Sequence, residues 1–446
     1  VLDLLTLLGA VGLFLYGMKV MSEGLQKVAG DRMRTILSAM TRNRFSGVAT
    51  GVLITALIQS SSASTVMVVS FVNAGLMSLQ QSMAVIMGAN VGTTFTAWII
   101  AIFGVKVNVG ALAVPFIAVA VLLLFSKSSR SKSIGEFIIG FSFLFMGLGM
   151  ISANVPELDA NALEFLAGYS NHGFASVLLF IFVGLVITMI IQSSAATFAI
   201  VLVMSTKGWI GFDMACAAVL GSNIGTTITP VLASLSANQT AKKAALGHFL
   251  FNLFGTIWTT ILFFPFVKLV IWIPEMLGQG NPAALQGDAM AVSVSFGLSI
   301  FHTVFNIINL SVMIWFTESY VKICNYFIKS NAKDGEEFQL KYISSGLLNA
   351  SELNIMQAQR EIVVYAQRVQ RMYDMVVELV HTKLGTVEFN KLYSRVGKYE
   401  EISDRMEIEI AKYLNRVVDG RLSYEGKLRI SAMLNIISEI ESIADS

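Results

Sequence analysis

Charge is what this sequence has least of. Of 446 residues only 13% are Asp, Glu, Lys or Arg, against 55% in the apolar set. An apolar excess this large cannot be hidden inside compact water-soluble cores and points to a bilayer. Cysteine is scarce too. Cys216 lies in an apolar stretch and Cys324 near the end of another, which excludes a disulfide framework, and the four histidines are scattered, so no metal spacing appears. A net charge of +2, with no basic run interleaved with aromatics, excludes nucleic acid as a partner. There is also no nucleophile and base pair and no phosphate-cradling glycine loop, so the sequence does not read as an enzyme.

The few charges that exist are unevenly placed: 27 fall in residues 1–330 and 33 in residues 331–446. That contrast predicts a transmembrane domain over 1–330 and a water-facing helical domain over 331–446. Apolar segments run at roughly 4–21, 46–75, 82–104, 107–125, 134–152, 174–204, 212–234, 244–273 and 290–317. Most have the length of one crossing. The segments at 46–75 and 174–204 are too long for one upright helix at about 1.5 Å per residue. Each predicts a tilted span, a broken helix or a re-entrant hairpin.

These two long segments are copies of one pattern. Laid on one another at an offset of 133, residues 55–98 and 188–231 match at 15 of 44 positions without a gap. The matches concentrate in Gln59-Ser60-Ser61 against Gln192-Ser193-Ser194, and in Gly88, Asn90, Gly92, Thr93, Thr94 and Thr96 against Gly221, Asn223, Gly225, Thr226, Thr227 and Thr229. The repeats extend over about 46–125 and 174–273. Basic residues set their orientation. Lys27, Arg32, Arg34, Arg42 and Arg44 place the loop before the first repeat inside, whereas the loop before the second carries Glu157, Asp159 and Glu164 without Lys or Arg and reads as outside. Lys242, Lys243, Lys322 and Lys329 put the later loop and the C-terminal domain in the cytoplasm. The expected fold is therefore an all-α polytopic membrane protein of the plasma (inner) membrane. It holds inverted-topology repeats with re-entrant or broken helices, plus a cytoplasmic helical bundle. Inverted repeats characterise secondary transporters, with a site near the midplane where the halves meet.

The repeated polar residues are candidates for that site. Hydroxyls in hydrocarbon often bond back to their own helix or glue neighbouring helices. Two matching stretches inside an inverted repeat favour ligand binding instead, because amide and hydroxyl groups supply both donors for an oxyanion and oxygens for a hard cation. Gln59, Ser60, Ser61, Ser62, Asn90, Thr93, Gln192, Ser193, Ser194, Asn223 and Thr226 are the candidate anion-binding residues. Gln59, Ser61, Thr94, Gln192, Ser194 and Thr227 are the candidate Na+ ligands. The glycines beside them let the chain unwind, or let helices pack closely. With no Lys or Arg in either motif, a bound anion needs dipoles and co-bound cations, a physical reason for ion coupling. His248 with Asn252, and His302 with Asn306, place a His and an Asn one turn apart on two further segments, and interhelical hydrogen bonds are the favoured reading.

Glutamine-serine-serine stretches in two inverted repeats, with Asn90 and Asn223 each 31 residues beyond the glutamine in Gly-(Ala/Ser)-Asn-(Val/Ile)-Gly-Thr-Thr, resemble the type II sodium/phosphate cotransporter family and its bacterial relatives. The resemblance spans about residues 10–315. It implies sodium-coupled import of inorganic phosphate, Na+ being the co-transported ion, with both glutamine-serine stretches at the substrate and sodium site. Ala195 and Ala196 stand where the first stretch has Ser62 and Ala63, so one hydroxyl is missing. A phosphate exporter, a carrier of another oxyanion and a membrane-anchored phosphate sensor are the alternatives. In the C-terminal part, Ile355, Ala358, Ile362, Ala366, Val369 and Met372 recur at helical spacing, followed by helices near 388–418 and from 424. With Glu400, Glu401 and Asp404 in one helix and Glu439, Glu441 and Asp445 in another, this module resembles a PhoU-like domain. Its carboxylates hold a metal or, the favoured reading, form a solvated acidic face. A homodimer would complete a three-helix piece into a larger bundle.

Overall fold

The computed structural model describes residues 2–38, 43–73, 77–106, 109–155, 168–169, 172–235, 237–284, 287–328, 340, 342–343, 351–418 and 424–445. Arg42 and the acidic loop bearing Glu157, Asp159 and Glu164 lie outside the described residues. Among the described residues every regular element is helical, and seven helices are long and apolar enough to cross a membrane. The protein is an all-α polytopic membrane protein. Leu122, Phe125, Ile190 and Trp272 are exposed, as side chains facing lipid would be.

Two compact units are present, one of residues 1–66, 80–232 and 245–321, the other of residues 67–79, 233–244 and 322–446. The chain begins with α1 (Leu2–Ser38), followed by α2 (Arg44–Ile58) and α3 (Ser61–Asn73). Next come α4 (Leu79–Ile99), a π-helical extension (Ile100–Lys106), α5 (Ala113–Leu124) and α6 (Ser129–Asn154). The second long segment is α7 (Phe174–Ile191) and α8 (Ser194–Thr206), followed by α9 (Phe212–Gly225) and α10 (Ile228–Ser234). Then follow α11 (Gln239–Ile261), α12 (Phe263–Met276), α13 (Gly287–Met313) and α14 (Thr317–Phe327). Both long apolar segments are thus broken helices, the break falling at Gln59 in one and Gln192 in the other. The segment expected at 244–273 is also divided, at Leu262, and that at 107–125 yields only the short α5.

Each broken pair is held by a seam of glycines. A methyl added at Gly51 would lie 2.0 Å from the Val85 carbonyl oxygen, and one at Gly88 would lie 2.1 Å from that of Val48, so α2 and α4 touch backbone to backbone. The same seam recurs 133 residues on: Gly184 meets the Ala218 carbonyl at 2.0 Å and Gly221 that of Ile181 at 1.8 Å, joining α7 to α9. These glycines therefore serve close packing and do not unwind the chain. α4 runs through Gly88, Asn90 and Gly92 as continuous helix, whereas the turn at Thr226–Thr227 separates α9 from α10. Around the second seam Phe198, Met214, Val219, Leu298, Phe301 and Phe305 form a buried core.

In the second unit, α15 (Ser351–His381), α16 (Val387–Val418) and α17 (Tyr424–Asp445) form a bundle around Ile355, Tyr365, Met406, Ile410, Tyr413 and Ile437. The expected core position Ala366 is exposed and Tyr365 is buried in its stead, because the apolar stripe of this helix drifts by one residue. Burial pushes the Tyr365 phenol up to about 12. On the outside, Asp445 one turn away raises the Glu441 carboxyl above its ordinary value. The N–H groups of Tyr342 and Ile343 both donate to the buried Glu361 carboxylate. Asn73 at the end of α3 accepts from the Asn238 N–H at 2.8 Å and donates from Nδ2 to the Tyr342 carbonyl at 3.2 Å.

Gly221→Ala should be destabilising by about 1–3 kcal/mol or more, the usual cost of overpacking where neither backbone can retreat. Gly149→Ala, with nothing within 4 Å of the added methyl, serves as its control. Thermal unfolding in detergent checks both, and equal midpoints for the two variants would remove the close-packing account of the repeated glycines.

Candidate functional site

Gln59 and Gln192 are the two non-glycine residues with positive φ among those described, at 55° and 56°. A left-handed conformation costs a residue with a Cβ roughly 1–2 kcal/mol and persists where the surroundings over-determine it. Here the surroundings are the same twice. Each glutamine ends a helix, its N–H donating to the carbonyl of Thr55 or Thr188 at 2.7 Å. Each is followed by a serine that caps the next helix, Ser60 accepting from the Ala63 N–H and Ser193 from the Ala196 N–H, both at 3.2 Å. By helix geometry the first-turn N–H groups at Ser61 and Ser62, and at Ser194, point out of these helix starts, where an anion is favoured.

The side chains differ between the copies. Gln59 is 9% exposed, its Oε1 accepts from the Thr96 hydroxyl at 3.1 Å, and its Nε2 donates to the Ala56 carbonyl. Gln192 is exposed, and the Thr229 hydroxyl that matches Thr96 is buried without a partner. Ser61 is buried, while Ser62, Ser193 and Ser194 are half-buried. The threonines bond within their own helices: Thr93 to Ala89, Thr94 to Val91, Thr226 to Ser222 and Thr227 to Ile224, all by hydroxyl to carbonyl at 2.7–3.0 Å. In this arrangement their hydrogens are engaged: each offers a ligand an oxygen lone pair, and can donate to an anion only by turning its hydroxyl from the carbonyl.

Around the second break four helices converge. Gly225 of α9 packs on Thr188 at the end of α7, and the Thr188 and Thr197 hydroxyls lie 2.9 Å apart. Phe198 of α8 stacks on the His302 ring of α13, and His302 Nε2 donates to Asn223 Oδ1 at 3.0 Å, closing the circuit on α9. The next residue of α13, Thr303, accepts from Trp98 of the first repeat at 3.0 Å. α13 therefore touches both repeats through adjacent side chains. Among the described residues no hydrogen bond joins Gln59-Ser60-Ser61 directly to Gln192-Ser193-Ser194.

The histidine and asparagine pairs do not form the interhelical bonds expected of them as a set. Asn252 and Asn306 donate to the carbonyls of His248 and His302 in their own helices, and only His302 reaches across. Both ring nitrogens of His248 are buried without a partner. The sequence reading missed His302 and Thr96 as neighbours of the site. Thr96 carried a signal, since it matches Thr229 in the repeat, but nothing local marked His302 as the partner of Asn223. Among the described residues no three His, Cys, Asp or Glu side chains gather to hold a metal ion.

Gln59→Gly and Gln192→Gly should keep each bend while relieving a strain of roughly 1 kcal/mol, so stability should hold or rise as the amide is lost. Thermal unfolding together with phosphate titration checks the pair. Full phosphate binding by both variants would mean that the strained amides are not used.

Comparison with known proteins identifies the family. The profile of the Na+/Pi-cotransporter family matches residues 13–153 and 161–268. Over its whole length the chain is 26% identical to YjbB of Salmonella typhimurium, by name a candidate inorganic phosphate exporter, covering 76% of that protein. It is 32% identical to YqeW of Bacillus subtilis over 60% of this chain and 84% of that one. A stretch of 100 residues, 22% of this chain and 15% of the other, is 39% identical to sodium-dependent phosphate transport protein 2A of Rattus norvegicus. No solved structure matches the chain. The chain belongs to the Na+/Pi-cotransporter family, a family of phosphate transporters and not of enzymes.

Proposed function

We propose that this protein is a sodium-coupled secondary transporter that moves inorganic phosphate across the plasma (inner) membrane by alternating access, in the importing direction. The observation that carries the reading is the pair of identical left-handed breaks at Gln59 and Gln192, at equivalent places in two repeats. The helix starts that follow them offer N–H and hydroxyl donors to phosphate, and the back-bonded threonines offer oxygen lone pairs to Na+. No Lys or Arg lies in either motif, so co-bound Na+ offsets the anion's charge in a poorly solvated site. The ligand set proposed is Gln59, Ser60, Ser61, Ser62, Asn90, Thr93, Gln192, Ser193, Ser194, Asn223 and Thr226 for phosphate. Gln59, Ser61, Thr94, Gln192, Ser194 and Thr227 serve Na+.

Residues 1–330 form the transport domain on this reading. Residues 331–446 form a PhoU-like regulatory domain, cytoplasmic by the basic residues around it, with a homodimer as the assembly that completes its bundle. A second direction of transport has an observation of its own behind it: YjbB, similar along the whole chain, is named for export. A coupled carrier runs either way according to its gradients, so direction is a matter of the ion that drives it.

Calorimetric phosphate binding to the purified protein in sodium and in choline tests the coupling. Phosphate affinity should rise with sodium, and sodium affinity with phosphate by the same factor. Phosphate binding that ignores sodium removes this mechanism. For topology, Glu164→Cys and Asn238→Cys in a Cys-free background should react with an impermeant thiol reagent from opposite sides. Labelling from one side alone would end the inverted-repeat assignment.

A further inference from the structure

The two asparagines of the repeated motif are wired in opposite senses. Asn90 spends its Nδ2 donor on its own helix, bonding the Ile86 carbonyl at 2.9 Å. That leaves Asn90 its carboxamide oxygen and one N–H of the amide. At Asn223 it is the oxygen that is engaged, by His302 Nε2 at 3.0 Å, and Nδ2 is buried without a partner. An Asn oxygen only accepts, so in this arrangement Nε2 carries the hydrogen and Nδ1, buried without a partner, does not; Asn223 can turn over only if that proton moves to Nδ1. The first repeat has no equivalent of this clamp, since His248 makes no side-chain bond to Asn90.

We propose that His302 is a positioning residue that fixes Asn223 as the anion-facing donor, so that the second repeat supplies an amide hydrogen to an oxyanion while Asn90 in the first supplies an oxygen. The inference rests on the phosphate site proposed above and deepens it. Three observations converge on it. Asn223 is nine-tenths buried, and its free Nδ2 is the kind of donor that an interior leaves unpaired only where a ligand or water completes it. His302 is itself held, by stacking on Phe198, one turn beyond Ser194 at the start of α8. Thr188, which packs on Gly225 of α9, meets Thr197 hydroxyl to hydroxyl beside the break at Gln192, on the same helices that carry Asn223 and Phe198. The repeats are therefore alike in backbone but complementary in polarity. A multiply charged anion with its cations needs such an arrangement, whereas two copies of one half-site would compete for the same ligand.

The test uses the full chain in lipid nanodiscs, with calorimetric titration of inorganic phosphate in sodium and of sodium in the presence of phosphate. His302→Leu removes the clamp and lets the Asn223 amide turn, and phosphate Kd should rise about tenfold or more. His302→Gln keeps an N–H donor and should restore Kd to within about threefold of wild type, a rescue that a merely space-filling role would not give. Asn223→Asp replaces the free donor by an acceptor while preserving the bond from His302, and should abolish phosphate binding. Asn90→Asp, at a residue of the same ligand set, keeps an acceptor in place and should weaken phosphate binding less than Asn223→Asp does. If His302→Leu fails to fold, the two near-isosteric aspartate variants decide. Unchanged phosphate Kd in His302→Leu, or equal losses in Asn90→Asp and Asn223→Asp, would overturn the assignment. Wild-type protein that binds no phosphate would overturn the site itself, whereas tight wild-type binding with indifferent variants would overturn only the role of His302.

Discussion

Interrupting a helix inside an apolar body strands N–H groups and carbonyls where water is scarce, and each stranded group costs free energy until something bonds it. Among the described residues the same left-handed interruption occurs at Gln59 and at Gln192, and most of what surrounds those residues answers to that cost. Ser60 and Ser193 cap the helices that restart. The glutamine N–H groups close the helices that stop. What is left over, a few N–H groups at two helix starts together with amides and hydroxyls, is a set of polar groups suited to a small anion and small cations.

The requirement for close support explains the glycines. A helix end that must stay in place without a full set of hydrogen bonds needs a partner it cannot drift from, and backbone contact between α2 and α4, and between α7 and α9, provides it. The copies then diverge in detail. Gln59 is turned in against Thr96, while Gln192 is exposed and Thr229 is left without a partner. Asn90 and Asn223 show the same contrast. Equal backbones with unequal side-chain wiring are what a single ligand set between two related halves calls for.

Much of this was legible in the sequence, because polar residues in an apolar segment are rare enough that their repetition at a fixed offset stands out. The length of the two segments left a tilted span, a broken helix or a re-entrant hairpin open, and the repeat marked the polar stretches at which the helices break. The left-handed turn at glutamine was not legible, since φ is set by capping and packing on both sides and Gln has no special liking for it. The glycines allowed two readings, unwinding or packing, and only the neighbour at 1.8–2.1 Å from each absent methyl decides between them. His302 lies 79 positions from Asn223 and outside the repeat, so no spacing rule could join them. In the bundle, helical periodicity found Ile355, Ala358 and Ile362 but slipped at Ala366, where a polar-ended residue, Tyr365, holds the core and its hydroxyl meets Ser403.

The backbone seams also fix the mechanics of the first unit. Helices separated by side chains can slide past one another by small rotamer changes, which is how shear motions are accommodated. Helices in contact backbone to backbone have little such slack, which ties α2 to α4 and α7 to α9 as stiff plates. Articulation is left to the joints that carry no glycine seam: the bends at Gln59 and Gln192, and the turn at Thr226–Thr227. The joints at the two glutamines coincide with the candidate ligand groups, so a ligand that braces a joint there stiffens the whole plate attached to it.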